Sequence, residues 1–246
     1  MGRFDNKKMI VTGAGSGIGR ATAMKFASEG AHVACVDLRG AADTASEIGG
    51  SAFALECNVA DASAVEKMIA SAVTTLGGLD ILANIAGIGH FKWSHEESPE
   101  DFDRILSVNL NGTFYCCRYA LPHMLEAGGG IILNTASTAG LIGQPWSAAY
   151  CASKGGVVML TRAMAYEYRD KNIRVAAVAP GGTKTNIVKS FTDLPKDADY
   201  SLMSKIMSPV PIADPSEIAS AFAYIASDDG RFITGSILTI DGGIVC

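Results

Sequence analysis

Short apolar runs rich in β-branched residues alternate with longer segments of helical periodicity along the chain of 246 residues. The strand-like runs are Met9–Thr12, His32–Asp37, Ile81–Asn84, Gly130–Thr135, Ile173–Val178 and Ser236–Ile240. Between two of them, Ala62–Leu76 places its apolar residues on one helix face. Apolar strands separated by amphipathic helices are typical of a parallel sheet that helices cover on both faces. The sequence therefore predicts an α/β fold with a doubly wound parallel sheet of six or seven strands.

The composition indicates a folded protein without a nucleic-acid or membrane partner. Hydrophobic residues make up 48% of the chain and charged residues 18%, which excludes a disordered polymer. The net charge is −5 without a basic run, so we expect no nucleic-acid partner. We find no apolar stretch of the ~18–20 residues that span a membrane, and no signal peptide. We expect a cytoplasmic protein. No linker or repeat divides the chain, so we expect residues 1–246 to form one domain.

The six cysteines and four histidines show no disulfide or metal pattern. No two cysteines have the C-x-x-C spacing and several lie in apolar runs, which favours buried reduced thiols. The histidines lack metal-ligand spacing apart from the step from His90 to His95, which crosses a loop-like segment. We therefore expect no metal site.

The segment Gly181–Asp214 interrupts the alternation of strands and helices. It contains a Gly-Gly pair and two prolines around Val210, and it is long for a connection inside a compact domain. We interpret residues 182–214 as containing a mobile substrate lid with one or two helical turns; a plain surface excursion is the alternative.

A glycine-rich turn joins the first strand to the first helix. It reads Thr12-Gly-Ala-Gly-Ser-Gly-Ile-Gly19 and precedes the helical segment Arg20–Glu29. Glycines in such a turn let the backbone approach a phosphate and let the helix pack close to the sheet. The helix N-terminus offers free N–H groups and a partial positive charge to a pyrophosphate. We predict a dinucleotide site of the Rossmann type here.

Asp37 ends the second strand, 24 positions after Gly13. A carboxylate there accepts hydrogen bonds from the adenosine ribose and repels a 2′-phosphate, which favours NAD over NADP. Ser16 also favours NAD, because some NADP-dependent proteins have a basic residue at that place. Arg39 is the opposing signal, since a guanidinium pairs with a phosphate. A cap or turn role is the structural alternative for Asp37.

Tyr150 and Lys154 are four residues apart in the segment Trp146–Arg169, which has helical character. Residues at i and i+4 share a helix face, so we expect the ammonium beside the phenol. The pKa of a free phenol is about 10, and a nearby ammonium lowers it. With a positively charged nicotinamide ring, the lysine would make the phenol a usable general acid or base. An ordinary helix pair is the structural alternative.

Ser137 precedes Tyr150 by 13 residues and follows the run Gly130–Thr135. With this serine the chain resembles the short-chain dehydrogenase/reductase family over nearly its whole length. The family pattern T-G-x-x-x-G-x-G falls on Thr12, Gly13, Gly17 and Gly19. Other matching segments are Asn84-Ile-Ala-Gly87, Val-Asn-Leu-Asn-Gly with Asn109, Asn134-Thr-Ala-Ser137, Pro180-Gly181 and Asp241-Gly-Gly243. The departures are Ile85 in place of a commoner Asn, Ala136 in place of a frequent Ser, and Asn58 where the family often has Asp.

The resemblance implies a role for each matching residue. Tyr150 exchanges a proton with the substrate oxygen, Ser137 orients that oxygen, and Lys154 holds the nicotinamide ribose and lowers the pKa of Tyr150. Asn109 positions a water that links Lys154 to solvent, or only repairs a helix kink; Asn84 faces the cofactor, or only ties adjacent strands. The implied cofactor-binding residues are Gly13, Ser16, Gly17, Ile18, Gly19, Asp37, Asn58, Val59, Asn84, Ala86, Gly87, Tyr150, Lys154, Pro180, Gly181, Thr183 and Thr185.

The expected activity is the NAD-dependent interconversion of a secondary alcohol and its ketone by hydride transfer. The expected substrate residues are Ser137, Gln144, Trp146, Tyr150 and Gly182. Their neighbours are mostly apolar and no carboxylate-binding arginine stands out, so a neutral cyclic or steroid-like alcohol fits best. The alternatives are reduction of a 3-oxoacyl group on an acyl carrier protein and a catalytically silent NAD-sensing protein. Family members are commonly homotetramers, which indicates contacts at Ser236–Cys246 or at the helices Asp101–Ala127 and Ala148–Arg169.

Overall fold

The computed structural model describes residues 2–191, 193–208 and 210–246. Within these residues seven strands form one parallel sheet, in the order β3-β2-β1-β4-β5-β6-β7. The strands are β1 (Lys8–Thr12), β2 (His32–Asp37), β3 (Ala52–Glu56), β4 (Ile81–Asn84), β5 (Gly130–Thr135), β6 (Ile173–Pro180) and β7 (Ile237–Ile240). The predicted doubly wound α/β fold is confirmed. Strand order reverses between β1 and β4, the place where such sheets bind ligands beyond their carboxyl ends.

Helices cover both faces of the sheet. The helices are α1 (Gly17–Ser28), α2 (Ala41–Ile48), α3 (Ala62–Leu76), α4 (Pro99–Leu106), α5 (Gly112–Glu126), α6 (Ala148–Tyr168), α7 (Asn186–Ser190) and α8 (Pro215–Ala226). One core cluster joins β1 and β2 to α1 and α8 through side chains such as Phe26 and Phe222. The other joins the sheet to α3, α5 and α6 through Ile69, Cys117 and Met164. Because both faces are buried, the middle residues of β1, β2, β4 and β5 are apolar, and polar side chains stand only at the strand ends.

Three elements differ from the sequence predictions. Helix α1 begins at Gly17, three residues before the predicted start at Arg20. The strand β3, missing from the predicted runs, pairs with β2 at the sheet edge, where four of its five residues are only partly buried. Helix α6 begins at Ala148 rather than at Trp146, because Trp146 has the left-handed φ of 57° and Ser147 is the N-cap. A left-handed residue does not continue a right-handed helix, so Trp146 lies before α6 rather than one turn inside it.

The connection between β6 and α8 folds over the carboxyl end of the sheet. It contains α7 and a 3₁₀ turn, Tyr200–Lys205, and a bridge between Thr183 and Ala213 closes its base. Thr192 and Pro209 of the predicted lid lie outside the described residues. The helical content agrees with the expected one or two turns, and mobility stays a prediction.

In the part of the chain that the structure describes, no helix combines the length and the apolarity that crossing a bilayer demands.

Candidate active site

A cleft of about 680 Å³ opens at the carboxyl ends of the strands, beside the point where strand order reverses. Three of the four predicted catalytic residues line it: Ser137, Tyr150 and Lys154. Of the other predicted cofactor residues, those that line it are Gly13, Ser16, Gly17, Ile18, Gly19, Asp37, Asn58, Val59, Ala86, Gly87, Pro180, Gly181, Thr183 and Thr185. The predicted substrate residues Gln144 and Gly182 also line it. Asn84, Asn109 and Trp146 lie outside this lining.

The glycine-rich turn is packed against its neighbours too closely for larger side chains. A Cβ atom on Gly13 would lie 2.7 Å from the backbone nitrogen of Ala86, and Gly13 has a φ of 72°. Such a backbone conformation strains any other residue, so this turn requires glycine. Helix α1 starts at Gly17, and its first turn carries no acidic side chain. Its free N–H groups and partial positive charge are therefore available to an anion in the cleft.

Asp37 ties the end of β2 to the glycine-rich turn. One carboxylate oxygen accepts a hydrogen bond of 2.9 Å from the backbone N–H of Gly15, and the other accepts one of 3.2 Å from the backbone N–H of Arg39. The carboxylate also lines the cleft. An ionised carboxylate has about four acceptor positions, so two bonds leave capacity for further donors. The structural role and the predicted ribose contact are thus compatible.

Three of the residues predicted to contact adenosine make contacts within the protein. Asn58 folds its side chain back to accept from Ala60 N–H at 3.1 Å, and Val59 is buried beside Gly112. Asn84 is turned away from the cleft and donates at 2.9 Å to Asn134. The alternative that Asn84 ties adjacent strands together therefore describes its observed contact.

Ser137, Tyr150 and Lys154 converge at the other end of the cleft. Ser137 follows β5, and its hydroxyl accepts a hydrogen bond of 3.2 Å from Ala139 N–H. Tyr150 and Lys154 lie in the first two turns of α6, and the ammonium nitrogen is 5.8 Å from the centre of the phenol ring. The predicted juxtaposition of phenol and ammonium is present, with the serine hydroxyl on the same lining.

Burial dominates the titration of this group of side chains. It raises the pKa of Tyr150 to about 12, which the nearby Ser137 hydroxyl opposes. It lowers the pKa of Lys154 to about 8. That Lys154, together with a positively charged nicotinamide ring, lowers the pKa of Tyr150 stays a prediction. The phenol is protonated at neutral pH in this state of the protein, which is the form of a general acid.

Asn109 lies in a π-helical turn, Ser107–Asn111, that joins α4 to α5. Its fully buried side chain donates at 2.8 Å to the carbonyl oxygen of Ile88 and accepts at 2.8 Å from the same residue's N–H. It also donates at 3.0 Å to Ser153, whose hydroxyl bonds the carbonyl oxygen of Tyr150. The observed role is to fix the segment after β4 relative to α6. A water-mediated role stays a prediction.

The segment after β6, which is predicted to contact the nicotinamide, borders one end of the cleft. Thr183 is buried and donates from its hydroxyl to the Gly181 carbonyl oxygen at 3.2 Å, and Thr185 does the same to Thr183. These hydroxyls shape a tight turn whose residues line the cleft from Pro180 to Thr185, apart from Lys184.

Trp146 packs beneath the site and is 4% exposed. Its ring makes edge contacts with Phe91 and Trp93 at 5.9 and 6.0 Å between ring centres. The sequence analysis missed two aromatic residues that do line the cleft, Phe91 and Phe191. No motif marks either position, since the path of the connecting segments brings them there.

The cleft has the dimensions and donors that a dinucleotide needs. Its volume lies within the range of about 300–1,000 Å³ that small-molecule sites occupy. At one end are the start of α1 and the Asp37 carboxylate; at the other are Ser137 and Tyr150. The buried hydroxyl of Thr135, also on the lining, has no hydrogen-bond partner among the described residues. In those residues no group of three His, Cys, Asp or Glu side chains is placed to hold a metal ion.

The fold and this cleft define a nicotinamide-dependent oxidoreductase. A family model described as enoyl-(acyl carrier protein) reductase matches residues 13–245. The chain belongs to the short-chain dehydrogenase/reductase family, which confirms the resemblance that its motifs indicate.

Relatives of high coverage carry more specific names. The chain is 40% identical over 244 residues to meso-2,3-butanediol dehydrogenase of Serratia marcescens, covering 98% of this chain and 95% of that protein. It is 41% identical over 246 residues to cyclohexanol dehydrogenase of an Acinetobacter species, covering 98% and 95%. The crystal structure of 3-ketoacyl-(acyl-carrier-protein) reductase from Brucella melitensis complexed with NADH superposes with a TM-score of 0.91 at 34% identity, covering 99% and 100%.

Proposed function

We propose that the protein interconverts a neutral secondary alcohol and its ketone, with NAD as the hydride carrier. The observation that carries this proposal is the convergence of Ser137, Tyr150 and Lys154 on one cleft. The relatives named for butanediol and cyclohexanol support a secondary alcohol as substrate. The lining around Ser137 is largely apolar, with Ile88, Phe91, Val188, Phe191, Met203, Ile206 and Ile212. Such a wall favours an uncharged, preferably cyclic, alcohol.

A nicotinamide held in this cleft would supply the hydride chemistry of the proposed reaction. Tyr150 takes the hydroxyl proton of the alcohol on oxidation and returns it to the carbonyl oxygen on reduction. Ser137 hydrogen-bonds the same oxygen and holds it at the phenol. Gln144 and Gly182 border the substrate. Trp146 supports the wall from beneath through Phe91 rather than touching the substrate.

Lys154 contributes a buried positive charge next to the phenol and binds the ribose of the cofactor. Its ammonium stabilises the phenolate that forms during alcohol oxidation. Asn109 acts as a positioning residue, because it fixes Ile88 and, through Ser153, the backbone of Tyr150.

The choice of NAD follows from Asp37. Its carboxylate borders the cleft at the end of β2, where it would bind ribose hydroxyls and repel a 2′-phosphate. The pyrophosphate is assigned to the turn from Gly13 to Gly19, the adenosine to Asn58, Val59, Ala86 and Gly87, and the carboxamide to the segment from Pro180 to Thr185.

We further propose a cytoplasmic homotetramer. Large apolar side chains are exposed on α6, where Met159 is 59% and Tyr166 69% exposed, and near β7, where Phe232 is 96% exposed. Contiguous exposed apolar surface marks interaction sites. Light scattering on the purified protein would give about four times the mass of the chain; a monomer would contradict this part of the proposal.

A second candidate is reduction of 3-oxoacyl groups on a carrier protein, which the likeness to the Brucella melitensis reductase favours. The two functions differ in the cofactor and in the substrate that the protein accepts. A carrier-linked 3-oxoacyl substrate that is reduced with NADPH much faster than cyclohexanol is oxidised with NAD would favour this second candidate.

The proposed function is tested with Tyr150→Phe, which removes the phenol oxygen and keeps the ring. Because general acid–base catalysis contributes about 10²–10⁴-fold, we expect kcat for cyclohexanol to fall by about a thousandfold. Calorimetry would show that the variant still binds NADH, with a change in Kd far smaller than the change in kcat, because the other cofactor-binding residues remain. Full turnover by the variant would overturn the proposed function.

The matched control is Tyr224→Phe, an exposed tyrosine of α8 that lies outside the cleft lining. It should leave kcat and the Kd for NADH at the values of the unmodified protein.

A further inference from the structure

The ring of Phe191 stands against the ring of Tyr150. The two ring centres are 5.2 Å apart in an edge arrangement with an interplanar angle of 66°. Phe191 follows α7 in the segment over the cleft, whereas Tyr150 lies in α6. The segment over the cleft therefore touches the residue that we assign to proton transfer, and both rings line the same cavity.

Gly89 has no side chain, and the rings of Phe191 and Tyr150 occupy the space that a side chain there would need. A Cβ atom on Gly89 would lie 2.5 Å from Cζ of Phe191 and 2.7 Å from Cδ2 of Tyr150. These distances are far below a van der Waals contact, so even a methyl group does not fit between the rings and the backbone. The space beside the phenol is thus already filled by Phe191 at this edge of the cleft.

Two contacts hold Phe191 in place. Its ring packs at 5.0 Å on Phe91, which packs on the buried Trp146. Five residues further along the chain, the carbonyl oxygen of Lys196 accepts a hydrogen bond of 3.1 Å from the indole N–H of Trp93, which packs on Trp146. The aromatic cluster Phe91, Trp93, Trp146 and Phe191 thus anchors the segment at two points.

We propose that Phe191 determines specificity by limiting the size of the alcohol that can reach Ser137 and Tyr150. This inference rests on the proposed function and adds the residue that sets the upper size of its substrate. The ring closes the cleft beside the phenol, and the aromatic cluster keeps it there. We therefore expect a single-ring alcohol to reach the phenol and a fused two-ring alcohol to be obstructed by the ring of Phe191.

The test compares cyclohexanol with 2-decalol, which has two fused rings, in the unmodified protein and in Phe191→Ala and Phe191→Leu. A change in the volume of an apolar pocket alters discrimination by about tenfold or more. We expect the ratio of kcat/KM for 2-decalol to that for cyclohexanol to rise about tenfold in Phe191→Ala, and less in Phe191→Leu. A ratio within about twofold of the unmodified protein in Phe191→Ala would overturn the inference.

The control is Tyr200→Ala, which removes a 73% exposed aromatic ring from the same connecting segment. It should leave the ratio unchanged. An equal rise in Tyr200→Ala would show that loosening the segment, rather than the ring of Phe191, relaxes the size limit, and would also overturn the inference.

A binding measurement separates this inference from the proposed function. Calorimetric titration of either alcohol into the protein with NADH involves no turnover and gives the same size ratio as a ratio of Kd values. If both alcohols bind and neither is oxidised with NAD, the proposed function fails, while the Kd ratio in Phe191→Ala still decides the role of Phe191.

The anchoring has its own readout, because both tryptophans of the chain belong to the aromatic cluster. Phe191→Ala removes one contact that holds the segment against Trp93 and Trp146, so we expect stronger quenching of the tryptophan emission by acrylamide. Unchanged quenching would contradict the anchoring.

Discussion

The ammonium group of Lys154 donates a hydrogen bond of 2.8 Å to the main-chain carbonyl oxygen of Thr135. Thr135 is the last residue of β5 and lies two positions before Ser137. The bond therefore ties helix α6, at Lys154, to the end of strand β5, just before Ser137. Lys154 is 3% exposed, and in the part of the chain that the structure describes no ion pair offsets its burial. The protein keeps a charge here at a cost in stability, as functional sites often do.

The first prediction concerns that cost. In the folded protein burial lowers the pKa of Lys154 to about 8, against 10.5 for an ordinary lysine. The unfolded chain therefore binds more protons between pH 8 and 10.5, so this residue makes stability rise with pH across that window. Its charge lowers the free energy of unfolding by about 3 kcal/mol below pH 8, in order of magnitude. Lys154→Met should unfold at a higher denaturant midpoint at pH 7 and lose this advantage towards pH 10.

The matched control is Lys67→Met, in which an exposed lysine of α3 is replaced. Its midpoint should differ little from that of the unmodified protein at either pH. The stability of Lys154→Met is compared with that of the unmodified protein at each pH. If the variant compared less favourably at pH 7 than at pH 10, the assignment of Lys154 as a buried, unpaired cation would be contradicted.

The second prediction is a difference between the two reaction directions. Burial raises the pKa of Tyr150 to about 12, so the phenol is protonated between pH 6 and 8. Ketone reduction uses this form and should be independent of pH over that range. Alcohol oxidation needs the phenolate, so kcat/KM should rise with pH by up to about tenfold per unit below the apparent pKa.

Ser137→Ala checks the origin of this dependence. The Ser137 hydroxyl lowers the pKa of Tyr150, so its removal should shift the rising limb of alcohol oxidation to higher pH in addition to lowering the rate. An oxidation rate that declines from pH 6 to 8 would contradict the role of Tyr150 as the base.

The sequence predicts a helix or strand correctly where the residues of that segment themselves favour the structure that it adopts in the fold. Helix Ala62–Leu76 has the predicted bounds because Asp61 caps it and Gly77 ends it in the left-handed conformation. Strand β3 reads Ala-Phe-Ala-Leu-Glu, without a β-branched residue, and becomes a strand by pairing with β2. β-propensity depends strongly on such context, so this strand had no reliable local signal.

The residues of the candidate site likewise include some that the sequence predicts and some that it does not. Motif residues such as Gly13 and Lys154 occupy the cleft because their spacing fixes them to a turn or a helix face. Phe91 and Phe191 have no such spacing, and they reach the cleft through packing between segments that are distant in sequence. The direction of the Tyr150 pKa also depends on burial, which the sequence does not reveal.

The third prediction concerns the cofactor. Replacing Asp37 with Ser removes the charge that would face a 2′-phosphate and leaves a hydroxyl near the N–H group of Gly15. A like-charge contact costs several kcal/mol, so the preference for NAD over NADP in kcat/KM should fall by about a hundredfold. Asp43→Ser, which replaces an exposed carboxylate in α2, should keep the original preference. An unmodified protein that prefers NADP would contradict the role given to Asp37.

The fourth prediction lies outside the cleft, at Arg174 in β6. The two hydrogens of Nη1 are shared among three main-chain carbonyl oxygens at the end of α8 and after it, those of Ile225, Gly230 and Ile233, at 2.8 to 3.0 Å, and Nη2 donates to the Ala226 carbonyl oxygen at 3.3 Å. Arg174→Met would remove three bonded hydrogens, at about 1 kcal/mol each, so we expect a loss of about 3 kcal/mol. For a chain of this size the Tm should fall by roughly 6–12 °C.

The comparison for Arg174→Met is Arg104→Met, which removes an exposed arginine that pairs with Asp101 on the surface. Surface pairs of this kind contribute at most about 1 kcal/mol, so its Tm should change far less. Both variants should keep the KM for cyclohexanol, because neither side chain lines the cleft. Equal Tm values for the two variants would show that these carbonyl oxygens find other donors, and that Arg174 does not fix the end of α8 to the sheet.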